Sequence, residues 1–198
     1  VKFGFIGAQC SGKSTVVSNT FQHLKCNGIV DVMIRSEAAR RCPYEINKVY
    51  GLKTQFWITT EAFRQELELE KRCEHLLCDR TAVDQVVYAQ DALKDKRISL
   101  KEFGLIYSLA KQWLKVRPYD VTYLLEPVKL YADSMRPFDI SWQEEIDMLF
   151  KIWTPKLLGE WGYIKIRHPE IEARKKIVAM DVMAKIRNPP GSVMGRAR

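Results

Sequence analysis

Along the 198 residues, short apolar runs alternate with longer stretches in which apolar positions recur every three or four residues. The runs are KFGFIG at 2–7, VDVMIRS at 30–36, HLLCD at 75–79, DVTYLL at 120–125 and GYIKIR at 162–167, and each reads as a strand. After the first run, Val17, Phe21 and Leu24 fall on one helical face that ends before Gly28. A second long helical region covers roughly 54–73. Ser99-x-x-Glu102 and Ser141-x-x-Glu144 carry the capping-box pattern, so helices are expected to begin there. The helix from Ser141 continues with Ile146, Leu149, Phe150, Trp153 and Leu157 at helical spacing, a core face. Strands that alternate with helices imply an α/β fold whose parallel sheet is covered on both faces. No internal repeat and no linker divides the chain.

The turn after the first strand changes the picture from architecture to chemistry. Residues 7–15 read GAQCSGKST, and Gly7-x4-Gly12-Lys13-Ser14 is the spacing of a phosphate-cradling loop, here with the strand before it and the helix after it that the pattern demands. Glycines at both ends let successive N–H groups curl inward, and the helix beginning near Lys13 adds the positive end of its dipole. Gly7, Ala8, Gln9, Cys10, Ser11, Gly12, Lys13, Ser14 and Thr15 are therefore the expected nucleotide-binding residues. Lys13 is placed to reach the β- and γ-phosphates, and the Ser14 hydroxyl to ligate Mg²⁺.

Composition adds bounds. At 46% hydrophobic, 198 residues suffice for one domain with a real core. No apolar run is long enough to span a bilayer, no charged-then-apolar leader is read, and the expected location is cytoplasmic (host cytoplasm for a phage-encoded chain). Cys10, Cys26, Cys42, Cys73 and Cys78 are an odd set without a C-x-x-C pair, which argues for reduced thiols. The net charge is +8, but Lys185, Arg187, Arg196 and Arg198 follow the last acid, Asp181. Residues 187–198 read as a flexible basic tail, so the charge permits an acidic partner without specifying one.

In an open parallel sheet, ligands sit beyond the carboxyl ends of the strands. Those ends read RSEAARR, CDRTAVD, LLEP and RHPEIE after the second to fifth runs. Asp79, closing an apolar strand, is placed to hold Mg²⁺ directly or through water. A GTPase would carry D-x-x-G and N-K-x-D, whereas Asp79 is followed by Arg-Thr-Ala and NKVY at 47–50 lacks the aspartate. Asp79-Arg80 instead sets a fixed cation beside the metal site.

Together with the phosphate loop, SEAARR, the TQFWI…E helix and DRTAVDQVVY resemble the small P-loop kinases over about residues 1–185. The nicotinamide riboside kinase-like and the thymidylate and deoxynucleoside kinase-like groups are similar, as are phage kinases acting on 5-hydroxymethyluridine in DNA. The resemblance implies a three-layer α/β/α P-loop NTPase fold with a five-stranded parallel sheet in the order 2-3-1-4-5. It implies a kinase domain over 1–186 with a lid at about 127–140. It makes Glu37 the general base toward an acceptor hydroxyl and Arg80 a residue that steadies the reaction centre. In the lid, Arg136 would supply charge to the transferred phosphoryl group, with Lys129 a weaker choice, and His168 would border the adenine. Arg40, Arg41, Gln55, Trp57 and Asp84 are the expected acceptor-side residues. For Glu37, a salt bridge with Arg40 or Arg41 is an equal alternative to the base role. The expected activity is transfer of the γ-phosphate of ATP, with Mg²⁺, to a nucleoside-type acceptor, either free or a hydroxymethylated base in DNA. A slowly hydrolysing regulatory NTP-binding module is the alternative. The oligomeric state stays open, with a homodimer among the options.

Overall fold

The computed structural model describes residues 1–46, 50–127 and 139–188. Five strands, β1 (Lys2–Ile6), β2 (Val32–Arg35), β3 (His75–Asp79), β4 (Val121–Leu125) and β5 (Ile164–Ile166), form one sheet in the order β2-β3-β1-β4-β5. Every pairing is parallel. Among the described residues, six helices accompany them: α1 (Lys13–Cys26), α2 (Leu52–Glu70), α3 (Ala82–Lys94), α4 (Leu100–Val116), α5 (Ile140–Leu158) and α6 (Ile171–Arg187). A short 3-10 turn, Ala38–Arg41, follows β2. The expected sheet order and three-layer arrangement are present. β3 fills the whole of its expected run, whereas the other four strands are shorter than theirs: β1 stops at Ile6 because Gly7 turns away at φ 142°, and β5 keeps only three residues.

Side chains alternate across the sheet, and each face has its own core. Phe3, Phe5, Val121, Tyr123 and Leu125 pack under α1 and α6, against Val17, Leu24, Val178 and Val182. Ile6 and Leu124 point the other way, toward Val83 and Val87 of α3, Ile106 of α4 and Ile146 and Phe150 of α5. Phe5 is fully buried, so its truncation to Ala would cost about 3–5 kcal/mol. The central strands are thereby fixed from both sides, and their carboxyl ends become a rigid edge on which a site can be built.

The helix starts are chemically set. At α4, the Ser99 hydroxyl accepts the Glu102 N–H at 3.3 Å and the Glu102 carboxylate accepts the Ser99 N–H at 2.7 Å, the expected capping box. At α5 the expected start at Ser141 is corrected. The cap is Asp139, whose Oδ1 accepts the Trp142 N–H at 2.9 Å and the Ser141 hydroxyl at 2.7 Å. An ionised carboxylate is the stronger acceptor for the helix's first N–H groups, so it takes the cap and leaves Ser141 in the first turn. All five cysteines are free. Among the described residues, no helix is long and apolar enough to cross a membrane.

Candidate active site

One end of the site is built from the β1–α1 turn. A Cβ on Gly7 would lie 2.3 Å from the Leu125 carbonyl oxygen, and Gly12 caps α1 at φ 82°, so both positions need glycine. Lys13 folds back over the loop and donates to the carbonyls of Gly7 at 2.8 Å and Ala8 at 2.6 Å and to the Ser11 hydroxyl at 3.2 Å. Anionic phosphate oxygens are stronger acceptors than these neutral groups, so the ammonium is poised to exchange them for a triphosphate. Ser14 donates from its hydroxyl to Asp79 Oδ2 at 2.5 Å. The other carboxylate oxygen, Asp79 Oδ1, is buried without a hydrogen-bond partner. An orphaned carboxylate oxygen beside a hydroxyl suits Mg²⁺, which takes few protein oxygens and draws the rest of its shell from water and phosphate. No cluster of three or more His, Cys, Asp or Glu that could hold a metal occurs among the described residues.

Arg80, immediately after β3, is the centre of the site. Its backbone sits at φ 78°, a left-handed conformation uncommon outside glycine. Two hydrogen bonds hold it there: its N–H donates to the Phe5 carbonyl at 2.9 Å, and its carbonyl accepts from Arg35 Nη2. Arg35 is itself buried at the end of β2 and paired with Glu66 of α2 at 3.3 Å. The Arg80 side chain then bridges two carboxylates, donating from Nε to Glu37 Oε1 at 2.6 Å and from Nη1 to Asp84 Oδ1 at 3.2 Å, above the Tyr88 ring. Burial works against its charge, but Glu37 and Asp84 outweigh it and raise its pKa well above the ordinary arginine value. Asp84 is fully buried; burial pushes its carboxyl up to about 6 against the pull of Arg80 and Lys13. It also completes the capping box of α3, accepting the N–H of the N-cap Thr81 at 2.7 Å.

Two concavities meet at this arginine. One is lined by Cys10, Ser11, Gly12, Lys13, Ser14, Thr15, Glu37, Arg40 and Arg80. The other runs between α2, α3 and α5, with Tyr50, Ile58, Tyr88 and Trp142 as apolar walls and Gln9, Gln55 and Gln85 as amides. Glu37 and Arg80 belong to both linings. Gln55 Nε2 donates to the Gln85 carbonyl and side-chain oxygens, each at 3.1 Å, while the buried Gln9 Nε2 has no hydrogen-bond partner.

The remaining sequence-named residues are placed as follows. Glu37 pairs with Arg40 at 3.3 Å as well as with Arg80, so it is ion-paired and site-facing at once. Arg41 pairs with Glu61 of α2 at 3.5 Å, and neither it nor Trp57 lines the two concavities. His168 is exposed after β5, its Nδ1 accepting the Glu170 N–H at 3.1 Å. Arg136 and Lys129 lie outside the described residues.

Other site features escaped the sequence. Asp91 is a buried carboxylate that accepts the Tyr50 hydroxyl at 2.8 Å, the Trp142 indole N–H at 3.2 Å and Arg97 Nη2 at 2.6 Å, tying two aromatic walls to α3. Burial and the Asp91 charge together push the Tyr50 hydroxyl well above its ordinary pKa. Asp84, Gln85, Tyr88 and Asp91 fall at helical spacing on α3, and such a polar stripe on a largely buried helix was the available signal.

Comparison with known proteins agrees with this architecture. A protein-family model described as an AAA domain matches residues 2–167. No curated protein matches the sequence. Among solved structures, the chain is similar to deoxyadenosine kinase from M. mycoides with bound dCTP, at TM-score 0.70 and 13% identity over 93% of this chain and 100% of that one. It is also similar to the NadR protein in complex with NR, at TM-score 0.70 and 12% identity over 92% of this chain. It covers 50% of the NadR chain, about half its length. The NadR complex with NAD and AMP-PNP matches at TM-score 0.68 and 12% identity, over 92% and 48% of the two chains. The resemblance read from the phosphate loop and the Asp79-Arg80 pair thus extends to the fold.

Proposed function

The chain belongs to the AAA domain family, and from that premise and the site's geometry we propose that it transfers the γ-phosphoryl group of ATP to a hydroxyl or phosphate of a nucleoside-type acceptor. The observation that carries this reading is the pair of adjoining concavities that share Glu37 and Arg80. A hydrolase needs room for a water, whereas this site sets a second, aromatic and amide-lined chamber against the phosphate loop. Aromatic faces and amides are what a nucleobase requires for stacking and edge recognition. The similarity to deoxyadenosine kinase with bound dCTP and to the NadR protein in complex with NR supports an acceptor of that class.

Phosphoryl transfer asks a protein for positioning and charge stabilisation rather than covalent chemistry. The phosphate loop and Lys13 would hold the triphosphate, and Ser14 and Asp79 would hold Mg²⁺. When bound, that ion neutralises charge on the phosphate oxygens. Glu37, at the mouth of both chambers, would accept the proton of an acceptor hydroxyl as it attacks. Arg80, kept charged by Glu37 and Asp84, fixes the Glu37 carboxylate and sets positive potential where charge spreads over the phosphoryl oxygens. Arg136 is proposed to add charge from the lid segment.

The test is a pair of substitutions. Glu37→Gln should lower kcat by about 10²–10⁴-fold with little loss of ATP affinity. Gln55→Leu should raise the KM of the acceptor while ATP affinity holds. Free nucleosides, nucleotides and hydroxymethylated DNA would serve as the acceptor panel. A Glu37→Gln protein that transfers at the wild-type rate would overturn the base role.

A further inference from the structure

Arg174, in the first turn of α6, is among the most buried side chains of the protein, yet its bonding partners are main-chain carbonyls. Its Nη1 donates to the Glu126 carbonyl at 2.5 Å and to the Ser11 carbonyl at 3.3 Å, and its Nε donates to the His168 carbonyl. These three carbonyls belong to the phosphate loop, the residue after β4 and the loop after β5. One guanidinium thereby joins three strand ends on the side of the sheet edge that holds the phosphate loop. Only arginine has a planar fork of donors wide enough to do this. Burial pulls its pKa below the ordinary arginine value while the Glu126 charge opposes that pull. A cost of this kind, borne without a hydrogen-bonded carboxylate, needs an explanation.

The Ser11 contact supplies one. In a trans peptide the C=O and the next N–H point in opposite directions. A Ser11 carbonyl drawn toward Arg174 therefore turns the Gly12 N–H away from Arg174, and Gly12 lines a concavity together with Ser11 and Lys13. Gly12 sits at φ 82°, and glycine lets such a peptide flip at little cost, so an outside constraint is needed to hold one orientation. A second contact comes from the same helical turn. A Cβ on Gly12 would lie 2.5 Å from Ile171 Cδ1, so α6 packs directly on this residue. A cation on the carbonyl side also polarises the peptide and strengthens its N–H as a donor to anions.

We propose that Arg174 is a positioning residue of the phosphate loop, holding the Ser11–Gly12 peptide with its N–H directed at the nucleotide's phosphates. The proposal rests on the reading of residues 7–15 as a nucleotide-binding loop. Arg174 touches no reacting atom. Its effect is on how tightly phosphate is held and leaves acceptor recognition alone.

Tripolyphosphate is the probe, because it engages the loop without adenine or acceptor. Its affinity and that of ATP would be measured calorimetrically for wild type, Arg174→Met and Arg174→Lys, with thermal midpoints on the same samples. Arg174→Met should weaken both ligands by a similar factor, about 10–100-fold, the worth of one charge-assisted hydrogen bond. Arg174→Lys, which keeps the charge but not the fork, should fall between and serves if the methionine variant does not fold. In wild type, the Gly12 amide resonance should move on tripolyphosphate addition, and in the variants that movement should shrink. A lower thermal midpoint with unchanged tripolyphosphate affinity and an unchanged Gly12 response would overturn the proposal and make Arg174 a structural strap. Wild-type protein that binds neither tripolyphosphate nor ATP would overturn the nucleotide-site reading and this proposal with it.

Discussion

At the scale of single residues, Asp84 is the group whose charge state matters most. It is buried against Arg80, with Lys13 and Asp79 the other charges that act on it, and its carboxyl is pushed up to about 6 from 3.8. The folded protein thus binds this proton more tightly than the unfolded chain, so its stabilising contribution is complete below 3.8 and is lost as pH rises through about 6. Catalysis runs the other way. Protonation removes one of the two carboxylates that hold Arg80, so transfer per folded molecule should decline as pH falls below about 6. Asp84→Asn should flatten that acid limb and be slower at neutral pH. Single-turnover rates and thermal midpoints collected on both proteins across this window check both signs. An acid limb of the same shape in Asp84→Asn would assign it to another group.

At the scale of elements, what the sequence disclosed was local and what it hid was distant. The Ser99–Glu102 box could be read because both partners stand three residues apart. Ser99→Ala should therefore cost about 1 kcal/mol, measured as a shift in denaturant midpoint, and leave the transfer rate unchanged because α4 does not line either concavity. A loss of rate per folded molecule would contradict that separation. The same pattern at Ser141 misled because Asp139, a stronger acceptor, stands two residues earlier. The partners of Arg174 and Asp91 were illegible for a physical reason. Arg174 binds main-chain carbonyls, which every residue carries, and Ser11 lies 163 positions away. Asp91 meets Trp142 across 51 positions. No spacing rule reaches that far.

At the scale of the whole molecule, the phosphate loop could be placed from sequence because its chemistry and geometry lie within nine residues, and the parallel sheet followed from the alternation of runs and helices. The second chamber could not, since it forms only when α2, α3 and α5 converge on one side of the sheet edge. The proposed distinction between a transferase and a hydrolase rests on that convergence, and the central claim is that the γ-phosphoryl group leaves ATP for an acceptor in that chamber. The most direct measurement follows ATP labelled at the γ position in a single turnover with nucleosides, nucleotides and hydroxymethylated DNA, using Lys13→Ala as the inactive reference. The account predicts label covalently attached to an acceptor and little of it as inorganic phosphate. Label recovered only as inorganic phosphate, with every acceptor present, would contradict it and leave a nucleotide-hydrolysing module in its place.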